Sequence, residues 1–290
     1  MGVPTWVDHE GNVDPLAMPV QIYGALALSP DGQRLVIHVA GPTDHVWVYD
    51  VTTGSGSRLT TQGNNGWPIW TPDGEQVVFS SNRAGTWGLY ALPVDGGGDA
   101  VELYQSERWL IPWSWSPRED VMAFGIGAIF DMDFLAVEWG QESRVRSYSE
   151  TSLEWGPRFS PDGQWIAYAS DRDGGHEVFV RPYPGLDLEH KVSVGGGQEP
   201  IWSGDGSELF YRNGTQWMVT DVSTSPTFSS TQPRELFQTS FVDTYGLSWD
   251  LAPDGRFLVV KPSTDGADPN ELRTVLNWFE ELKRLVPTDN

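Results

Sequence analysis

Runs of three or four β-branched and aromatic residues return along the chain, set between clusters of Ser, Pro, Asp and Gly. Leu35-Val36-Ile37, Val77-Val78-Phe79, Trp165-Ile166-Ala167-Tyr168, Leu209-Phe210-Tyr211 and Phe257-Leu258-Val259-Val260 are too short for helices and have the residue types of buried strands. A common corner precedes them. Its copies are Ser29-Pro30-Asp31-Gly32, Thr71-Pro72-Asp73-Gly74, Ser116-Pro117-Arg118-Glu119, Ser160-Pro161-Asp162-Gly163, Ser203-Gly204-Asp205-Gly206 and Ala252-Pro253-Asp254-Gly255. Their second residues are 42, 45, 44, 43 and 49 positions apart. Proline presets φ for a type I turn, Asp bonds its own backbone, and Gly accepts the positive φ that a bulged hairpin needs. Each corner therefore predicts a hairpin of antiparallel strands.

A third strand follows each hairpin, as in Val46-Trp47-Val48-Tyr49, Gly88-Leu89-Tyr90-Ala91, Val178-Phe179-Val180 and Trp217-Met218-Val219. A shorter outer strand such as Ser57-Arg58-Leu59 or Lys191-Val192-Ser193-Val194 completes the unit. Four strands at a period near 44 residues, six times over, predict one all-β domain across residues 1–290, a six-bladed β-propeller of four-stranded antiparallel blades. A sandwich would not explain the fixed period. The ring must close, because an open end exposes unpaired strand edges. Trp6-Val7-Asp8 followed by Glu10-Gly11 reads as an outer hairpin without inner strands, whereas the last blade, Leu247 to Lys261, lacks an outer part. The N-terminal segment is expected to pair into that blade, beside Leu272-Arg273-Thr274-Val275-Leu276. Asn277 with Glu280 three residues on then starts a short C-terminal helix, with Trp278, Leu282 and Leu285 on one face and Pro287 at its end. Its expected role is to cap the ring.

The phrase Phe159-Ser160-Pro161-Asp162-Gly163-Gln164-Trp165-Ile166-Ala167-Tyr168-Ala169-Ser170-Asp171-Arg172-Asp173-Gly174 resembles the WD-like propeller repeat of the TolB type, and Trp70 to Gly85 is a second copy. More narrowly, Trp6-Val7-Asp8, Val180-Arg181-Pro182-Tyr183-Pro184, the stretch Gly195 to Ser203 and Leu276-Asn277-Trp278-Phe279-Glu280-Glu281-Leu282 resemble propellers found C-terminal to bacterial serine/threonine kinases. The resemblance covers essentially the whole chain and implies a sensor or protein-interaction module. The chain begins almost at the propeller, so it reads as a free-standing homologue or a fragment. The third corner departs from the pattern with Arg118-Glu119, and Ile126 to Arg146 follows the repeat poorly, which marks that blade as a place for a specialised site.

Charge narrows the partners. Eighteen Lys and Arg against 40 Asp and Glu give a formal net charge of −22. Phosphate backbones and anionic lipid would be repelled, so neither nucleic acid nor a membrane surface is an expected partner, and cationic partners are favoured. Salt adaptation is the alternative source of this balance. With no cysteine, disulfides, thiolate metal sites and a Cys nucleophile are excluded. The start Met1-Gly2-Val3-Pro4-Thr5-Trp6 has neither a basic nor an apolar leader region, and no eighteen apolar residues run together. The expectation is a soluble chain, monomeric by default and without membrane span or export signal. That reads as cytoplasmic as written, or periplasmic or extracellular if a fragment.

Propellers present ligands to the connections between blades and to the loops joining second to third strands. In those connections Asn65 and Glu154 lie seven positions before the corner's second residue and Glu199 five. These three are the candidate channel-wall ligands for Ca²⁺ or another divalent cation, which takes oxygen donors; turn-forming and solvated roles compete. No organic cofactor is expected, since Walker, G-x-G-x-x-G and G-x-S-x-G motifs are missing. His38, His45 and His176 fall near the same face, and His38 and His176 are the candidate bases for attack by water. Arg83 and Arg172, each eleven residues after a corner proline, suit structural ion pairs better than substrate binding. Trp67, Trp109, Trp155 and Tyr245 are the candidate aromatic ligand contacts, with packing between blades as their competing role.

Two functions follow. One is a binding or sensor module for a protein, peptide or small molecule at the channel mouth. The other is a metal-dependent hydrolase of an ester, lactone or phosphotriester, with a channel cation polarising the substrate.

Overall fold

The computed structural model describes residues 1–95, 97–118, 121–127, 133–138, 146–147, 154–185, 188–225, 227–244 and 246–263, of which 133–138 and 146–147 are given as backbone. Two strands, β1 (Gly2–Val7) and β2 (Val13–Pro15), open the chain. Sheet 1 follows with β3 (Tyr23–Leu28), β4 (Arg34–Val39), β5 (His45–Asp50) and β6 (Gly56–Arg58), and sheet 2 with β7 (Asn65–Trp70), β8 (Gln76–Ser81), β9 (Trp87–Pro93) and β10 (Val101–Ser106). Sheet 3 comprises β11 (Leu110–Trp115), β12 (Val121–Ile126), β13 (Asp133–Glu138) and β14 (Arg146–Ser147). Sheet 4 comprises β15 (Glu154–Phe159), β16 (Trp165–Ser170), β17 (Glu177–Pro182) and β18 (His190–Lys191). In sheet 5, β19 (Gln198–Trp202), β20 (Glu208–Asn213), β21 (Gln216–Ser223) and β22 (Ser229–Ser230) run in order, and β23 (Arg234–Gln238) also pairs with β21. The last sheet joins both ends of the described chain, in the order β2-β1-β25-β24, with β24 at Trp249–Leu251 and β25 at Phe257–Pro262. The sheets are antiparallel and form a β-propeller, and no helix occurs among the described residues.

Corner chemistry explains why each inner hairpin forms. Ser29, Thr71, Ser160 and Ser203 donate their hydroxyls to Asp31, Asp73, Asp162 and Asp205 at 2.5–2.7 Å. The same hydroxyl accepts the N–H of the residue opening the next strand: Arg34, Gln76, Trp165 or Glu208. A second N–H, from Gln33, Glu75, Gln164 or Ser207, reaches the carboxylate. Backbone donors that a tight turn would orphan are thereby satisfied.

The corners also touch one another. A Cβ built on Gly32 would lie 2.7 Å from Pro253, on Gly74 3.4 Å from Pro30, on Gly163 3.1 Å from Pro117, and on Gly206 3.5 Å from Pro161. Each glycine thus lies against the proline of the preceding sheet, and the contact between Gly32 and Pro253 carries the series from the last sheet back to the first. Sheet 5 has Gly204 in place of proline. There His9 fills the position: its Nε2 lies 2.9 Å from the carbonyl of Gly255, and its ring packs between Phe210 and Phe257.

Closure is by strand exchange, as the sequence anticipates. β1 pairs with β25 from Gly2 opposite Pro262 to Val7 opposite Phe257. Asp8 turns β1 into β2 by accepting the N–H groups of Glu10 and Asn12 and the Asn12 amide. β1 occupies the place beside β25; the segment Leu272 to Leu276 and the helix expected from Asn277 lie outside the described residues. Between sheets the joints are aromatic. Trp217 and Trp249 meet with centroids 4.7 Å apart, and the indole N–H groups of Trp70 and Trp202 donate 3.0 Å bonds to the carbonyls of Ala27 and Arg158 in the preceding sheet.

The Ser29 hydroxyl and then the Gln33 N–H hold Asp31 below the ordinary carboxylate range, and Thr71 does so for Asp73. The Ser207 N–H, with the Ser203 and Ser207 hydroxyls, takes Asp205 to about 2. Folded-state values lie below unfolded ones, so this stabilisation is present above pH ~4 and is lost as pH falls through the lowered values towards 2. Chemical denaturation between pH 5 and 2 is expected to show that loss, and Ser160→Ala, which removes one buried and one half-buried bond, to cost about 1–2 kcal/mol at pH 7.

Candidate functional site

The innermost strands surround a channel that side chains close. Each of β3, β7, β11, β15 and β19 shifts register against its partner near its start. At these irregularities Trp67, Gly156 and Glu199 take positive φ of 48°, 66° and 52°; Leu247, just before β24, takes 58°. Trp113, 1% exposed, reaches from sheet 3 to the last sheet, where a Cβ on Gly246 would lie 2.4 Å from its ring. What remains among Trp113, Gly156, Arg158, Glu199, Ile201, Leu247 and Trp249 is a void of about 10 Å³, room for one water at most. Arg158 donates to the carbonyl of Trp113, and burial, opposed by the charges of Asp250 and Glu199, pushes its pKa down. Asp250 in turn accepts the N–H groups of Leu28 and Leu251.

Asn65, Glu154 and Glu199 are buried, and each is engaged by an arginine of its own sheet. The Asn65 amide donates to the carbonyls of Asp44, Gln62 and Gly63, and its oxygen accepts from Arg83 at 3.2 Å. Glu154 takes Arg172 on one oxygen and Arg181, at 3.1 Å, on the other. Arg172 also reaches Glu189. Glu199 accepts from Arg212 and, at 2.8 Å, from Ser248, while Arg212 continues to Asp243 at 2.7 Å. Burial pulls Arg212 down, yet Glu199 and Asp243 hold its pKa above the ordinary value. The pairing expected for Arg172 is therefore present, and Arg83 takes an amide rather than an acid. Among the described residues no group of three His, Asp or Glu is placed to hold a metal ion.

The two candidate bases sit at different junctions. His38 lies between sheets 1 and 2 against Gly24, its Nε2 3.6 Å from Asp44, too long for a hydrogen bond. Burial lowers its pKa, and Asp44 opposes the shift. His176 lies exposed between sheets 4 and 5, edge-on to Trp155 at 5.6 Å. Tyr245 lies outside the described residues. Trp67 and Trp109 come together, 5.7 Å apart, and are joined by Trp87, 5.3 Å from Trp109. Trp87 opens a third strand, at a position that sequence reasoning did not single out.

Repeat phase connects these observations. Trp67, Trp87 and Trp109 at the junction of sheets 2 and 3 occupy the positions that Gly156, His176 and Gly196 hold at the junction of sheets 4 and 5. Where Trp109 fills the first junction, Gly196 leaves the second open. The result is a cleft of about 460 Å³ lined by Asp173, Gly174, Gly175, His176, Glu177, Gly195, Gly196, Gly197, Gln198, Asn213 and Gly214. Lys191 bridges Asp173 and Glu177 at 2.9 and 3.1 Å, and Glu177 also accepts from Ser193 and the Gly196 N–H.

No family model matches the chain. An uncharacterised protein of Agrobacterium fabrum is 25% identical over 198 residues, 63% of this chain and 67% of its own length. An uncharacterised peptidase of Bacillus subtilis is 23% identical over 184 residues, 48% of this chain and 28% of its own length. A putative TolB from Agrobacterium tumefaciens superposes with a TM-score of 0.70 at 16% identity, over 90% of this chain and 98% of that one. The chain has the TolB-type β-propeller fold. TolB from Acinetobacter baumannii gives a TM-score of 0.60 at 14% identity, over 90% of this chain and 64% of that one. At these identities the likeness is one of fold. No helix among the described residues is long and apolar enough to cross a membrane.

Because Glu154 neutralises two arginines in a buried setting, Glu154→Ala is expected to destabilise the protein by roughly 3 kcal/mol. Glu154→Gln should lose less, and a chelator should leave the melting temperature of the parent chain unchanged. Calorimetry of the two variants, with and without chelator, checks all three.

Proposed function

We propose that the protein is a non-catalytic binding module, one propeller domain with the six sheets as blades, that takes a peptide segment of a partner protein on its loop face. The observation that carries this reading is the open cleft between sheets 4 and 5, set beside a channel that Trp113 closes. Cβ atoms built on Gly174, Gly175, Gly195 and Gly214 would meet nothing within 4 Å. A strand of foreign backbone can therefore approach this wall closely, and Asp173, His176 and Asn213 offer polar contacts at its rim. Overall charge favours a ligand bearing positive groups.

The hydrolase reading requires acids free to hold a cation. Here Glu154 and Glu199 spend their oxygens on Arg172, Arg181, Arg212 and Ser248. His38 and His176, at separate junctions, have no common substrate position.

Selection of a random displayed-peptide library on the intact protein, followed by calorimetric titration of the enriched peptides, tests the proposal. Gly175 has no positive φ and faces open space, so Gly175→Trp is expected to fold as the parent does and to weaken those peptides at least ~tenfold. Equal binding by the variant would remove the cleft from the reading. Turnover of aryl esters or phosphotriesters, abolished by chelation, would replace it with the hydrolase.

A further inference from the structure

The tryptophans between sheets 2 and 3 are not explained by packing alone. Trp67 contacts the core cluster around Trp113 and Leu110 but holds a φ of 48° to do so, at a repeat position where sheet 4 uses Gly156. A large side chain is kept where backbone strain favours glycine. Trp109, 38% exposed, is outside the core clusters altogether and rests on Trp67 and Trp87. Trp109, resting on half-buried Trp67 and Trp87, forms with them a contiguous aromatic surface that is open at Trp109.

The molecule shows elsewhere what it places on such faces. Arg34 lies 4.6 Å from the ring centroid of Trp70, Arg256 4.4 Å from Trp6, Arg181 4.5 Å from Tyr168, Arg172 4.7 Å from Phe179, Arg83 4.7 Å from Tyr90, and Arg212 5.2 Å from Phe241. Among the described residues no lysine, and no arginine of those that stack on rings elsewhere, lies over Trp67, Trp87 or Trp109. Exposed Glu107 stands two residues from Trp109. Asp44 is anchored to the start of β7 through its carbonyl, which accepts both nitrogens of Asn65, two residues before Trp67 in the chain. A guanidinium plane stacks on indole and pairs with carboxylate at once, and the net charge of −22 draws such groups in.

We infer that the Trp67–Trp87–Trp109 surface docks arginine side chains of a basic segment in a partner protein. The inference rests on the binding-module reading but uses a different junction, so the two fail separately: Gly175→Trp blocks the cleft and leaves this surface intact.

The test is titration of the intact chain with synthetic arginine–glycine, lysine–glycine and glutamate–glycine repeat peptides of equal length, at low and at 0.5 M salt (roughly a 4 Å screening length). The arginine peptide is expected to bind about tenfold tighter than the lysine peptide, to quench tryptophan emission, and to keep part of that preference at high salt. Trp109→Ala is expected to remove the preference and Trp109→Phe to retain part of it; Trp87→Phe serves as a second variant if near-UV dichroism shows Trp109→Ala to be perturbed. Equal binding of arginine and lysine peptides that neither Trp109 substitution alters would show attraction by the acidic surface alone and overturn the inference. Failure of the arginine peptide to bind, or preference for a neutral oligosaccharide or proline-rich peptide, would overturn it too. Loss of random-library peptides on Gly175→Trp with the arginine peptide unaffected would leave both readings standing.

Discussion

A carboxylate held between one hydroxyl and one backbone N–H sets the geometry on which this ring depends. In each Ser/Thr-containing corner with an Asp, the oxygen of the aspartate fixes the turn, and the same hydroxyl that donates to it receives the first N–H of the following strand. The corner then presents a glycine to the proline one sheet behind. Local hydrogen bonding is thereby converted into spacing between sheets. That explains why the motif is short, rigid and evenly repeated, and why a histidine must stand in where sheet 5 lacks its proline.

On the opposite face the sheets are alike in backbone and differ in what the junctions contain. One repeat position carries Trp109 in one place and Gly196 in another, so similar scaffolding yields a stacked aromatic surface at one junction and a 460 Å³ cleft at the other. The buried acids between them act with arginine. Glu154 and Glu199 pair with arginines of their own sheets, and among the described residues no cluster of acids is placed to hold a cation. Function on this fold is therefore argued from the junctions, each with its own chemistry.

Much of the architecture was legible in the sequence because the corners favour particular residues: proline or glycine, then aspartate and glycine, satisfy φ and backbone donors together. The N-terminal strand was also legible, since a hairpin without inner strands and a last sheet without an outer edge imply each other. Site residues were harder. Asn65, Glu154 and Glu199 were read as channel ligands because their spacing to the corner was visible, whereas their arginine partners lie 18, 27 or 13 residues away across a sheet. Arg181 sits near the end of β17, in a phrase that carried the narrower family resemblance and no sign of a buried ion pair. The closure by Trp113 left no local signal, as its partner Gly246 is on the far side of the ring. Aligning the copies residue by residue would have exposed Trp87 and Gly196 as departures from their counterparts. The narrower resemblance to kinase-attached propellers finds no counterpart among the four proteins compared above.

The pairing of β1 with β25 has a consequence for how the chain is made. Val7 lies opposite Phe257, so β1 must wait for a strand made after all five intervening sheets. Sheets 1 to 5 can assemble in order from near neighbours during synthesis, but the seam stays unsealed until β25 has been made. Through that interval an apolar edge of β1 is held without its mate, which makes the nascent chain, rather than the finished ring, the form most in need of a chaperone.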